Sequence, residues 1–336
     1  MEAQHVIFPE PNRVELQSFT FDLDDLPPDQ VAIETRHSII SPGTELACLS
    51  GEESWAPLPF VPGYGGCGEV IAVGDDVEDM GVGDTVFSYT KHASVVTSSV
   101  LVSPVPPGLN TVKACFARMA AVSITALRVS EVELGDHVAV IGLGLVGNLC
   151  AQLFTLAGCE VIGIDPIPER CRIAEACGVR YTVNPAEEDR RAFIEKVTDG
   201  HMCETVVEAI GAPAVGARAG ELAGPLGEVI LLGSPRGECV EDITPLLNSI
   251  HLWGDGCITY KGAHEWRYPT ERDKSGRVKH SIARNVEILM GLIAEGRLHV
   301  EELITHVLPP TECARAYEGL WNNKDEYMGV LFDWTA

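Results

Sequence analysis

Two stretches of this chain carry residue types whose spacing can do chemistry. The first is Gly142-Leu143-Gly144-Leu145-Val146-Gly147, with Asp165 standing 23 positions after its first glycine. A Gly-x-Gly-x-x-Gly run between an apolar strand and an apolar helix suits a dinucleotide. The first glycine permits the tight turn, the second lets a pyrophosphate approach the backbone, and the third lets helix and strand pack closely. The helix N-terminus then offers N–H groups and a positive dipole end to the phosphates. Asp165 would accept hydrogen bonds from the ribose hydroxyls and repel a 2′-phosphate, so NAD is expected over NADP. Arg170 can reach the same ribose edge and relax that preference. The competing reading is a tight turn without a ligand, with Asp165 as a helix cap. The second stretch, Lys261 to His280, holds six of the 24 Lys and Arg of the chain. Trp266 and Tyr268 offer a flat apolar surface for a sugar or a ring. Arg267 or Lys261 offers a cation for a carboxylate, phosphate or hydroxyl, with His264 beside them. The alternative is a solvated loop balancing Glu265, Glu271 and Asp273, or a subunit contact.

The elements that must position these groups have two textures. Up to about residue 125 the chain is rich in Pro, Gly and short β-branched runs, such as Val31–Thr35, Gly68–Val73, Asp84–Phe87 and Ser94–Thr97. These predict a compact, partly closed β domain. From about residue 135, strands alternate with helices: strands at 137–141, 160–164, 179–183, 205–209, 228–232 and 250–253, and helices at 149–156 and 169–177. That alternation predicts a doubly wound parallel sheet, with the basic segment leaving strand 250–253 at the ligand-binding edge. Residues 285–295 are expected to form a surface helix, and 329–332 a closing strand.

Composition narrows the partners. Against 49 Asp and Glu the formal charge is −25, which repels phosphate backbones and anionic lipid. Neither nucleic acid nor a membrane is expected as a partner. The N-terminus shows no basic stretch followed by an apolar run, so no signal peptide is expected. Eleven cysteines at irregular spacing, with no CxxC pair, suit reduced thiols in a cytoplasm.

Over nearly its full length the chain resembles the medium-chain dehydrogenase/reductase superfamily. The resemblance is carried by Ser41-Pro-Gly-Thr44-Glu45, Val61-Pro-Gly-Tyr64-Gly-Gly66, Gly68-Glu-Val70, Val82-Gly-Asp84, Thr125-Ala-Leu127, the Gly-rich turn and Ile210-Gly211. It implies a GroES-like catalytic domain over 1–125 and 296–336, and a Rossmann NAD(P)-binding domain over 126–295. It also implies hydride transfer between a nicotinamide and a carbonyl, alcohol or activated alkene. On the same basis Thr125 would lie beside the nicotinamide, Ile210 and Gly211 along the cofactor, and Leu232 and Gly233 near its carboxamide. A homodimer is expected from edge-to-edge pairing of such sheets.

The departures from that pattern concern the metal. Zinc-dependent members usually carry Cys-Gly-Thr-Asp and then Gly-His-Glu, where this chain has Ser41-Pro-Gly-Thr-Glu and Gly63-Tyr64-Gly65. The third ligand position is Ala121, and residues 88–105 contain no Cys for a structural zinc lobe. No metal is therefore expected, since neither a thiolate nor an imidazole remains to hold one. A hydroxyl or imidazole must then supply the proton and the hydrogen bonds. Tyr64 is either the donor to the substrate oxygen or a ring packed in the vacated metal site. Thr44 matches the family's relay hydroxyl, and Ser41 and Glu45 complete the constellation, Glu45 as a general base or a structural acid. His37, His92, His251 and His264 are each read as hydrogen-bonded core or surface residues, and Cys48 and Cys67 as packing.

The Ser-x-Gly-Thr-Glu variant is similar to a zinc-less branch that includes bacteriochlorophyllide hydroxyethyl dehydrogenases, and to modules of sugar and cyclitol pathways. The expected activity is zinc-independent, NAD(H)-dependent interconversion of a secondary alcohol and its ketone, on a small polyhydroxylated substrate. Two alternatives stand beside it: an enone or quinone reductase, and a dinucleotide-binding redox sensor without turnover.

Overall fold

The computed structural model describes residues 1–336, which divide into two compact units. The first comprises Met1–Met119, Pro269–Gly296 and Leu303–Ala336, and the second Ala120–Tyr268 with Arg297–Glu302. The division falls within the basic segment, after Tyr268. The helix Ile282–Ala294 therefore belongs with the first unit rather than with the parallel-sheet domain expected to extend to 295. It is not a plain surface helix either. Ile282, Val286, Leu289, Met290 and Ile293 recur at helical spacing and are buried, and the helix packs beside Thr111–Ala114 and Ser103–Pro104.

In the first unit one long strand does the organising. Val31–Ile39 pairs antiparallel with Gly66–Val73 on one side. On the other it pairs first with Val95–Ser98 and then, from His37 onward, with Gly329–Asp333. Changing partners along one edge bends the sheet toward closure, helped by register shifts at Ala32/Ile33 and Thr35/His37. Ile304–Leu308 extends the sheet beyond Gly329–Asp333, and Thr85–Ser88 with Ser103–Pro104 extends it at the other end. The core below includes Phe8, Ile40, Leu49, Tyr317 and Phe332.

The second unit is a six-stranded, wholly parallel sheet. Its order is Tyr181–Val183, Glu160–Ile164, His137–Ile141, Cys203–Glu208, Ala223–Leu231 and Thr259–Gly262. Apolar clusters cover both faces, as parallel sheets require. Strand order reverses between His137–Ile141 and Cys203–Glu208, which is where open α/β sheets bind ligands. The expected strand at 250–253 is absent. Ile243, Leu247 and Ile250 lie at helical spacing, and Thr244–His251 is a helix begun by Pro245. Thr259–Gly262 takes the sixth place. No helix of the chain is long and apolar enough to cross a membrane.

Candidate functional site

In the second unit the Gly-rich turn leaves the buried strand His137–Ile141 at its C-terminal end. Gly142 has φ +95°, a conformation that side chains rarely adopt. Gly144 is the N-cap of helix Leu145–Leu156, with no side chain capping it, so the first N–H groups of the helix stay available. A Cβ at Gly147 would collide with the Gly142 carbonyl oxygen, so this glycine sets how closely helix and strand approach. Asp165 is buried at the end of Glu160–Ile164. Its Oδ2 accepts from the Leu143 N–H at 2.8 Å and its Oδ1 from the Ile167 N–H at 2.9 Å. The Arg170 guanidinium stands 3.5 Å from Oδ2, and its Nε is a buried donor without a hydrogen-bond partner.

The neighbouring loops close on this turn. A Cβ at Gly142 would come within 2.6 Å of Ile210 Cγ1, and one at Gly233 would collide with the Gly211 backbone. Ile210, Gly211, Leu232 and Gly233 thus gather at the same edge as the Gly-rich turn. Glu208, which sequence reasoning missed, ties them: its Oε1 accepts from the Ile210 and Gly211 N–H groups, both at 2.8 Å. Burial pushes its carboxyl pKa up, while those backbone donors pull the other way. Thr125 is buried, and its hydroxyl donates to the Ala121 carbonyl at 3.2 Å.

The basic segment divides in role. The Lys261 ammonium is held by Glu228 at 2.6 Å and Glu131 at 2.9 Å. It lines a 430 Å³ cavity with Asp136, Glu204 and Thr259, at the N-terminal ends of the strands and so opposite the Gly-rich turn. Arg267 Nη1 donates to the Gly262 carbonyl, and Trp266 and His264 are exposed.

In the first unit, Ser41 is the N-cap of helix Pro42–Ser50. Glu45 reaches back from the first turn, its Oε1 accepting from the Ser41 N–H at 2.7 Å and so satisfying a backbone donor at the helix start. Its other oxygen accepts from the Tyr317 hydroxyl at 2.6 Å and lies 3.0 Å from His92 Nε2. His92 Nδ1 meets Ser38 Oγ at 2.8 Å, and Trp334 Nε1 donates to the same hydroxyl. The chain of donors is complete when Trp334 gives to Ser38, Ser38 to His92 Nδ1, and Nε2–H to Glu45. Glu45 and His92 are wholly inaccessible. Ser41 and Thr44 are half-buried at the helix start, as is Tyr64. The Tyr64 ring stands edge-on to Trp55 at 6.4 Å, with the Arg118 guanidinium 5.2 Å above it. Burial raises the Tyr64 pKa well above its ordinary value, Cys48 and Glu45 add to the rise, and Arg118 opposes it.

Comparison with known proteins agrees with both units. Residues 27–122 match the alcohol dehydrogenase GroES-like domain and residues 146–270 the zinc-binding dehydrogenase family. The chain belongs to the medium-chain dehydrogenase/reductase superfamily. Within it, a D-guloside 3-dehydrogenase of Escherichia coli is 32% identical over 43% of this chain and 43% of its own length. The chain thus spans less than half of that relative. A 2-desacetyl-2-hydroxyethyl bacteriochlorophyllide A dehydrogenase of Cereibacter sphaeroides is 25% identical over 100% of this chain and 99% of its own. An Escherichia coli short chain alcohol dehydrogenase solved with NADH superposes with a TM-score of 0.81 at 16% identity, covering 99% of both chains.

The superfamily's two accessories fare differently. The Gly-rich turn fits a dinucleotide: it has an uncapped helix start, glycines that a Cβ would fill, and an orphaned Arg170 Nε beside Gly144. The donor set for a catalytic zinc does not fit. Ser41 and Tyr64 are poor ligands, a guanidinium lies over the Tyr64 ring, and no three His, Cys, Asp or Glu side chains are grouped to hold a metal. Arg118, Tyr317 and Glu208 were not legible in advance. Only Glu208, the last residue of a strand before Ala-Ile-Gly, left a local signal.

Proposed function

We propose that this chain is an NAD(H)-dependent oxidoreductase interconverting a secondary alcohol and its ketone, on a sugar- or cyclitol-like substrate, without catalytic zinc. The observation that carries this reading is the convergence of the Gly-rich turn, Asp165, Arg170 and the loops at Ile210 and Gly233 on one sheet edge. The sugar class is supported by the D-guloside 3-dehydrogenase relative.

When bound, the nicotinamide gives or accepts the hydride. Gly142 to Gly147 would hold its pyrophosphate through backbone N–H groups, and Asp165 the adenosine ribose. Tyr64 handles the proton: in reduction its O–H donates to the substrate oxygen, and in oxidation its phenolate takes the hydroxyl proton. The raised pKa of Tyr64 keeps the phenol protonated at neutral pH, so reduction stays level there while oxidation quickens as the pH rises. Thr44 and Ser41 bind substrate hydroxyls from the start of their helix. Glu45 orients that helix rather than exchanging protons, because it is wholly inaccessible and both its oxygens are engaged, by the Ser41 N–H, His92 and Tyr317.

The chain is further proposed to be a cytoplasmic homodimer. All eleven cysteines are free thiols. The edge strand Thr259–Gly262 is preceded in the chain by exposed Ile243, Leu247 and Trp253, apolar side chains that a second copy would cover. A panel of polyols, ketones and enones assayed with NAD(H) and NADP(H), in chelator and beside metal analysis, tests the whole reading. Turnover of a polyol with NAD and no bound zinc is the expected result. Activity on enones alone, activity lost with a removable zinc, or no turnover with any substrate would each replace it.

A further inference from the structure

The poor fit to zinc leaves a question of charge, because the metal's positive charge polarises the substrate oxygen in zinc members. The first unit already holds a buried cation at that place. Arg118 is 3% exposed, and its guanidinium carbon lies 5.2 Å from the Tyr64 ring centre and 4.2 Å from that of Tyr89. Its Nη1 is 3.5 Å from the Tyr89 hydroxyl. Nothing about helix formation asks for it there. Arg118 sits in the first turn of Ala117–Val129, where the helix dipole disfavours a cation, and burying a guanidinium carries a desolvation cost.

Gly65 shows how the place was made. A Cβ on Gly65 would lie 2.8 Å from both Arg118 Cβ and Cγ, so any side chain there would displace the Arg118 stem. Zinc members, by the resemblance drawn above, carry an acid at this position directly after the metal-binding His. The two departures, His to Tyr64 and acid to Gly65, are therefore linked through one residue 53 positions further on. One supplies the ring that the guanidinium faces, and the other the room for its stem.

We propose that Arg118 is the positioning residue for Tyr64, its guanidinium fixing the phenol ring and supplying the positive charge that a metal supplies in zinc members. This rests on Tyr64 as the proton donor of the proposed function. A cation over the ring favours the phenolate over the phenol and holds the ring by cation–π attraction. It acts against the burial, Glu45 and Cys48 that hold the proton on. Arg118 thereby offsets part of the rise that burial, Cys48 and Glu45 impose on the phenol.

The test places 3,5-difluorotyrosine at position 64 of the full chain, fluorination lowering the phenol's pKa into a range where the fold holds. Its ionisation is followed by fluorine NMR. Arg118→Met is expected to raise that ionisation by about one pH unit or more. Gly65→Ala, which pushes the Arg118 stem without removing its charge, moves it in the same direction and serves if Arg118→Met does not fold. An ionisation unmoved in whichever variant folds overturns the proposal. In kinetics with natural Tyr64, Arg118→Met is expected to lower kcat about tenfold, shift the alkaline limb of the oxidation profile upward, and leave KM within about twofold. The same substitution in a Tyr64→Phe background has no further effect. Full activity of Tyr64→Phe overturns the donor reading on its own, while a shifted fluorine titration still upholds the coupling of Arg118 to Tyr64.

Discussion

The Gly142–Gly147 turn and the Glu45 cluster are both buried and both depend on tight geometry, but they are built from different material. The turn is made of backbone. Its requirements fall on consecutive residues and are met by leaving side chains out: φ +95° at Gly142, no Cβ at Gly147, an uncapped helix start at Gly144. The Glu45 cluster is made of side chains brought from Ser38, Glu45, His92, Tyr317 and Trp334, and the bonds between these side chains all join partners remote in sequence. A site of the first kind fails when something is added, and one of the second kind when something is taken away.

The largest effect expected from that contrast is at Gly147. Gly147→Val forces the helix off the strand through its collision with the Gly142 carbonyl. It should destabilise the chain by about 3 kcal/mol and abolish NADH binding. Urea unfolding and NADH fluorescence titration read the two losses, and retained NADH affinity would break the claim that backbone approach makes this site.

Removal is the matching test in the first unit. Tyr317→Phe deletes the donor to Glu45 Oε2 and should cost about 1.5–3 kcal/mol while NADH affinity stays unchanged. It also has a pH signature. Burial and Glu45 raise the Tyr317 pKa well above its ordinary value of 10.0. Above that pH the unfolded phenol loses its proton and the folded one keeps it, so stability falls as pH rises. Tyr317→Phe should flatten that alkaline loss, as denaturant melts between neutral and alkaline pH would show.

The same contrast explains what could be read from the sequence. The alternation of apolar strands and helices, the Gly-rich turn and Asp165 are local patterns, and the parallel sheet followed from them. Residues 250–253 misled because a short apolar run has no period of its own, and only Ile243 and Leu247 before it mark the helix. Arg118 was invisible because Tyr64 and Tyr89 lie 54 and 29 residues before it, and nothing local marks an arginine as buried. His92 reads from the sequence only as a hydrogen-bonded core or surface histidine, because its link to Glu45 exists only once the bent sheet has formed.

Asp165 belongs to both kinds of site, a side chain serving a backbone turn. Asp165→Asn keeps the shape, loses the charge, and frees Arg170 from its carboxylate partner. The preference for NAD over NADP should narrow about tenfold, through a charge-assisted hydrogen bond lost to the ribose and a repulsion removed from the 2′-phosphate. Paired titrations with NADH and NADPH measure it. Equal affinities before the substitution would mean that Arg170 already overrides the carboxylate.

The smallest effects are expected in the basic segment, where the contrast can be drawn between residues only five apart. Lys261 is part of the frame: it neutralises Glu228, which is buried and also accepts from the Glu131 N–H and the Thr205 hydroxyl. Lys261→Met leaves that carboxylate without its cation, so a stability loss of about 1–2 kcal/mol is expected with KM unchanged. Trp266 is 48% exposed and is proposed to stack against a ring of the substrate. Trp266→Ala should leave stability within about 0.5 kcal/mol and raise KM for a sugar-like substrate about threefold, with kcat little altered, because a stacking contact holds ground state and transition state alike. A KM that rises in Lys261→Met and stays level in Trp266→Ala would reverse these roles. It would move the substrate contact to the acidic cavity at the opposite end of the strands.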